Sequence, residues 1–169
     1  MSLDPVEMPE VERLAALRSF QMLDTAPALA FDHVVQVASL LCDTRVALVS
    51  LVDSERLFFL ARAGLDVQQV PRKSSLCECA IDTPKLMLEV EDTTQDPRFA
   101  SSPLVTGFPG IRFYAGVPLV TSEGAALGTL CVIDPQPRVL TESQRTGLQY
   151  LADLTVELLE SRRREVRRK

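Results

Sequence analysis

Cys77-Glu78-Cys79 sets two thiols two positions apart. That spacing permits a strained disulfide, or two ligands of a metal site that needs four. Ser75 lies just upstream and can cap a short helix running to about Ile81. Both cysteines then fall near the amino end of that helix, where its dipole lowers a thiol pKa and raises reactivity. Cys77 and Cys79 are therefore the redox candidates. A buried cysteine also serves as a small hydrophobe, and the pair fits that role too. Cys42, Cys131 and the single histidine, His33, are scattered, so no metal site is expected. One histidine furnishes neither a Ser-His-Asp nor a Cys-His set, and Asp92, Asp96 and Asp134 read as turn formers. No catalytic residue is assigned.

Arg72, Arg98 and Arg112 are candidate anion grips, with Phe99 beside Arg98 on a long loop. The run Gly110–Asp134 reads as two strands joined at Ser122-Glu123-Gly124. Alternation puts Ile111, Phe113, Ala115 and Val117 on one face, Arg112 and Tyr114 on the other. The second strand sets Thr129, Cys131 and Ile133 against Gly128, Leu130 and Val132. Packing alone does not call for an arginine and a tyrosine on a covered face; a pocket does. Tyr114 offers a flat apolar ring with a hydroxyl, suited to a pocket wall. Arg112 serves equally well as a structural partner for Asp92 or Asp134.

The elements that must position these residues follow from periodicity and breakers. Pro9 and the acids after it open a first helix, and Asp24-Thr25-Ala26-Pro27 ends it. A second runs from about Leu29 to Cys42, with Phe31, Val34, Val35, Ala38 and Leu41 inward. Residues 45–53 form a central strand and Leu57–Ala63 its hairpin partner. Residues 65–73 read as loop, Leu86–Val90 as a short strand, and 91–110 as a long loop of the kind that makes lids. Thr141 caps a last helix with Leu148, Leu151, Leu154, Thr155 and Leu158 along one side. Its charged turns from Glu160 onward are expected to project. The sum is an α+β domain with an antiparallel sheet.

Several strings carry a family resemblance: Ile111-Arg112-Phe113-Tyr114-Ala115-Gly116-Val117-Pro118-Leu119, Gly128-Thr129-Leu130-Cys131-Val132-Ile133-Asp134, Asp96-Pro97-Arg98-Phe99 and Ser102-Pro103-Leu104-Val105. Together with Leu23–Pro27 and Val46–Asp53, they resemble bacterial GAF domains, as found in sensor histidine kinases and diguanylate cyclases. The resemblance spans about Glu12 to Leu159. It implies a central antiparallel sheet of five to six strands, with amino- and carboxyl-terminal helices on one face. A short helix and long loops then form a pocket on the other. It also implies a non-catalytic sensor of a small molecule or of redox state, relaying through its terminal helix to a dimer partner or an output kinase or cyclase domain. The family usually reads Ser-Phe-Cys-x-His where this chain has Ser75-Leu76-Cys77-Glu78-Cys79. A cysteine thus replaces the customary histidine, and neither haem nor a bilin is expected. The cyclic-nucleotide signature Asn-Lys-Phe-Asp is absent. No cofactor is predicted; an unidentified small molecule is. Two alternatives stand: a thiol-dependent reductase of the free methionine-R-sulfoxide type, in which Cys77, Cys79 and Cys131 meet in one cavity, and a ligand-free dimerisation module.

Bulk properties bound the rest. The 169 residues, 46% hydrophobic and 24% charged, suit one soluble domain. No apolar run approaches the roughly 20 residues of a membrane span, and no secretory signal is present. Free thiols then point to the cytoplasm. The net charge of −5 conceals a basic end, Arg162, Arg163, Arg164, Arg167, Arg168 and Lys169 against Glu165 alone. Cations there complement a helix dipole, and the acidic body argues against nucleic acid. The expected layout is 1–8 disordered or tag-derived and 9–160 the domain, with helices over 9–43, sheet and pocket loops over 45–134 and a helix over 141–160. Residues 161–169 are a projecting basic end. That stub reads as a helix cut short, so a fragment of a longer chain is expected, with a homodimer through 141–169 and no membrane insertion.

Overall fold

The computed structural model describes residues 8–168. Residues 1–7, expected to be disordered or tag-derived, and Lys169 lie outside the described residues. Met8 does not belong with that segment, because it is partly buried against the helix-side core.

The elements are α1 (Glu10–Ser19), α2 (Leu29–Cys42), β1 (Val46–Val52), β2 (Arg56–Ala63), β3 (Gln69–Pro71), α3 (Leu76–Ile81), β4 (Leu88–Val90), α4 (Pro103–Thr106), β5 (Phe113–Val120), β6 (Ala126–Asp134) and α5 (Glu142–Arg167). A short 3-10 turn, Thr93–Gln95, precedes α4. Six strands form one antiparallel sheet in the order β3-β2-β1-β6-β5-β4. Helices α1, α2 and α5 cover one face, and α3 with the 91–111 segment covers the other.

Local chemistry explains these bounds. Phe31, Val34, Val35, Ala38 and Cys42 recur at three- and four-residue steps on the buried side of α2, and Asp43 ends it at φ 53°. Thr141 and Gln144 form a reciprocal capping box on α5. Gln144 also donates to the Leu41 carbonyl at 3.1 Å, tying α5 to the end of α2. The central strands β1 and β6 are buried at every position. Both faces of these strands are covered, and their few polar residues, Ser50, Thr129 and Asp134, are buried with the rest.

Four sequence expectations are corrected. Ile111 precedes β5 and packs on the α3 side, away from Phe113, Ala115 and Val117, because strand alternation starts only at Phe113. Residues 69–71 form edge strand β3 on β2 rather than loop. Leu86 lies outside β4 and is exposed. The buried side of α5 is Leu148, Ala152, Thr155, Leu159 and Arg163, leaving Leu154 largely exposed.

The last of these residues also overturns the projecting end. Arg163 is 4% exposed, stacked 4.1 Å from the Phe20 ring, and paired with Glu123 and Glu160. A charged residue with a long apolar stem can dock where carboxylates meet its head.

Candidate functional site

Tyr114 is fully buried on the α3 side of β5, and Gly116 is what admits it. A β-carbon at Gly116 would lie 2.2 Å from the Tyr114 hydroxyl. The ring therefore leans along the strand over Gly116, whose cross-strand partner is Cys131. Helix α3, capped by Ser75 accepting from the Glu78 amide at 3.1 Å, lays Cys77 onto the same spot. Cys77 Sγ receives hydrogen bonds from Tyr114 OH and from Thr129 Oγ1, both at 3.3 Å. Cys131, two residues after Thr129 on β6, lies in the same buried cluster as Cys77 and Tyr114. Ser50, opposite Thr129 in register, is wholly buried, and its hydroxyl has no hydrogen-bond partner.

The electrostatics follow from that convergence. The neighbouring Cys131 thiol first, then donation from the Thr129 and Tyr114 hydroxyls, lowers the Cys77 thiol below the ordinary range against the cost of burial. Cys131 is raised well above it by the neighbouring Cys77 and by burial. Burial raises the Tyr114 phenol well above its usual value, so it stays a donor. All four cysteines are free thiols.

Above this polar floor sits an apolar cavity of about 40 Å³, walled by Leu48, Phe59, Leu76, Cys77, Ile111 and Tyr114, with Phe108 and Pro109 at its rim. Ser75 also borders it.

The remaining sequence-derived candidates lie elsewhere. Arg72, Cys79, Arg98 and Phe99 line an open cleft of about 380 Å³ on the outer side of α3. Their charges are already engaged: Arg72 by Glu10 and Glu78, Arg98 by Asp96 at 2.7 Å. Cys79 is half-buried with Sγ 3.9 Å from Arg98 Nη1, and burial raises its thiol. It does not meet Cys77 and Cys131 in one cavity. Arg112 pairs with neither Asp92 nor Asp134. Its guanidinium donates to the Val105 and Ile111 carbonyls at 2.8 and 3.1 Å, bracing α4 over the cavity. Asp134 instead accepts from the Arg45 amide at 2.9 Å and pairs with Arg138. Among the described residues, no three or more His, Cys, Asp or Glu side chains converge as a metal set, and His33 is exposed.

The family model of the GAF domain matches residues 27–157. This chain belongs to the GAF domain family. It is 41% identical over 157 residues, 92% of the chain, to a cyclic di-GMP phosphodiesterase of Pseudomonas aeruginosa. The chain spans about a quarter of that relative, 27% of its length. Among solved structures, the GAF domain of an Acinetobacter phosphoenolpyruvate-protein phosphotransferase aligns with a TM-score of 0.64 at 20% identity, covering 91% of this chain and 96% of the other. A type II free methionine-R-sulfoxide reductase of Thermoplasma acidophilum aligns at 0.63 and 16%, covering 78% and 91%. These structural likenesses show the fold alone. GAF domains sit beside output domains in signalling proteins, and no described helix is long and apolar enough to cross a membrane.

Sequence reasoning put Cys77 with Cys79, where the fold puts it with Cys131. It also missed Ser50, Thr129 and Gly116. A weak signal existed for the glycine: a residue without a side chain two positions after a tyrosine on a buried strand leaves room for that ring.

Proposed function

We propose that this GAF domain is a non-catalytic sensory module of a bacterial signalling protein, with the face bearing Tyr114, Cys77 and Thr129 as its sensing face. The observation that carries this is the buried polar floor under an apolar cavity, roofed by the Arg112-braced segment. Small-molecule sites combine apolar walls with a few convergent polar groups in this way. At about 40 Å³ the cavity holds only two or three heavy atoms as it stands, so a metabolite must displace Phe108, Pro109 and Leu104. That displacement is the signal. Strands β1, β5 and β6 present their other faces to α2 and α5, which carry it onward.

The close match to a cyclic di-GMP phosphodiesterase supports an output domain of that class in a longer parent chain, in place of the kinase or cyclase the first resemblance suggested. The small cavity favours one alternative, a ligand-free module whose core is merely packed. It disfavours a sulfoxide reductase, which needs room for a free amino acid.

Native mass spectrometry of the freshly purified chain tests the reading. A retained small molecule, released on denaturation, is the expected result. The apo mass alone, together with unchanged cyclic di-GMP turnover when Tyr114→Trp fills the cavity in the parent protein, overturns it in favour of the packed module.

A further inference from the structure

A wholly apolar site could bury one thiol at little cost, so hydroxyl donors around a single sulfur call for a reason. Cys77 Sγ takes Tyr114 OH and Thr129 Oγ1 at 3.3 Å each, and the Ser50 hydroxyl, opposite Thr129 in register, is buried without a hydrogen-bond partner. Such donors favour a sulfur bearing negative charge, as a thiolate or as a sulfenate. Cys131 is placed to trap the oxidised form: it lies opposite Gly116, over which the Tyr114 ring leans to reach Cys77, in the same buried cluster. The cavity reaches Cys77 and is walled by nonpolar atoms. Its volume of about 40 Å³ compares with the roughly 10–15 Å³ needed to seat a water, so a solute of two or three heavy atoms fits where a metabolite does not.

We propose that Cys77 and Cys131 form a peroxide-sensitive dithiol, oxidised to a Cys77–Cys131 disulfide by hydrogen peroxide. The Cys77 thiolate attacks one peroxide oxygen and the O–O bond breaks. The departing hydroxide takes the proton that the Cys77 thiol gave up, leaving water and Cys77 sulfenic acid. The Cys131 sulfur then attacks the Cys77 sulfur, the S–O bond breaks, and the hydroxide leaves with the Cys131 proton as a second water. Two thiols have lost two electrons and two protons to one peroxide. The other cysteines are set apart: Cys79 lies on the outer side of α3, and Cys42 is on the opposite face of the sheet, where burial alone pushes its thiol up to about 11.

Bonding Cys77 to Cys131 draws α3 towards β6. Helix α3 carries Glu78, which holds Arg72, which holds Glu10 on α1. The inference deepens the sensing reading and rests on the same face of the sheet, yet the two fail separately. A chain that retains a metabolite but ignores peroxide keeps the first and loses the second.

The test treats the fully reduced chain with stoichiometric hydrogen peroxide, blocks remaining thiols with N-ethylmaleimide, and maps peptides without reduction. The expected product is one crosslinked pair containing Cys77 and Cys131, with Cys42 and Cys79 alkylated. Cys131→Ser should instead leave a sulfenic acid at Cys77, captured by dimedone. Thr129→Val, which keeps the shape and removes one donor, should slow Cys77 oxidation roughly tenfold, the loss of one hydrogen bond to a charged sulfur. A Cys77–Cys79 crosslink, earlier oxidation of Cys79 or Cys42, or four unmodified thiols would each overturn the proposal, and none of these readouts depends on a variant folding.

Discussion

Tyr114 keeps its position by sharing space with Gly116. Replacing Gly116 with alanine puts a methyl 2.2 Å from the phenolic oxygen, so the ring must leave the Cys77 sulfur or the strand must move. Overpacking of this kind costs about 1–3 kcal/mol. Gly116→Ala should therefore lower the urea midpoint with little change in slope. Adding Tyr114→Leu, which shortens the clashing side chain, should recover part of the loss, and a double-mutant cycle measures that coupling. Strictly additive losses would show that the two positions do not compete for space. The tyrosine's burial and the polar character of its face were legible in the alternation of β5. Its partner was not, because Cys77 reaches it from 37 positions away, with Thr129 of the neighbouring strand meeting the same sulfur. Pairing Cys77 with Cys79 followed sequence proximity. Two positions apart on a helix point in different directions, and only the packing of α3 on β6 selects Cys131.

At the scale of elements, charge ties the start of α1 to α3 through Glu10, Arg72 and Glu78. Glu10 sits between Arg13 and Arg72, and Arg72 also reaches Glu78 and donates to the Asp53 carbonyl at 3.0 Å. Hydrogen bonding to Arg13, with Arg72 adding to it, lowers the Glu10 pKa to about 2 from its ordinary 4.5. A carboxylate whose folded pKa is depressed stabilises the fold above its unfolded pKa and loses that contribution as pH falls through the folded one. The contribution should be complete above about pH 4.5 and gone near pH 2. Glu10 is nearly half exposed, so solvent screening limits it to about 1 kcal/mol. Glu10→Gln should lower stability by that amount at pH 7 and flatten the acid limb of the stability profile between those two pH values. An unchanged acid limb would mean that α1 is held by apolar packing alone. The existence of α1, α2, α3 and α5 could be read from caps and periodicity, because those signals are local. The buried role of Arg13 could not, since it donates to the Val52 and Ala126 carbonyls at 2.7 and 3.1 Å, the latter 113 positions away. Strand β3 was missed because three residues with two exposed side chains carry no alternation to detect.

The whole molecule depends on what α5 does after it leaves the sheet. Its distal turns do not hang free: Arg163 lies against Phe20 and donates to Ser19 at 3.3 Å, so α5 is locked to the end of α1. Arg163→Ala removes the stem that covers Phe20 and leaves Glu160 and Glu123 facing each other without a cation. It should cost about 1–3 kcal/mol and raise amide exchange selectively beyond Leu159. With that end docked, the surface left for a partner is the outer side of α5 and the α2 helix packed against it. Leu41 of α2 fills the space that a side chain at position 147 would take, which draws the two helices together. Tyr150 and Leu154 on α5 are 70% and 48% exposed, and Val37 and Leu40 on α2 are 48% and 81% exposed. Exposed apolar side chains on adjacent helices suit a second copy of the same surface, because a two-fold interface lets one patch cover itself. A homodimer built there would leave the Tyr114–Cys77 face open and would set both copies of α5 side by side, where a change in their packing could pass to an output domain. Leu154→Glu with Leu40→Glu should convert the dimer to a monomer in analytical ultracentrifugation while leaving the thermal midpoint of the isolated fold nearly unchanged, since neither side chain is buried in the chain itself. A wild-type chain that sediments as a monomer at high concentration would sink the dimer relay, and the signal would then have to leave through α5 within a single chain.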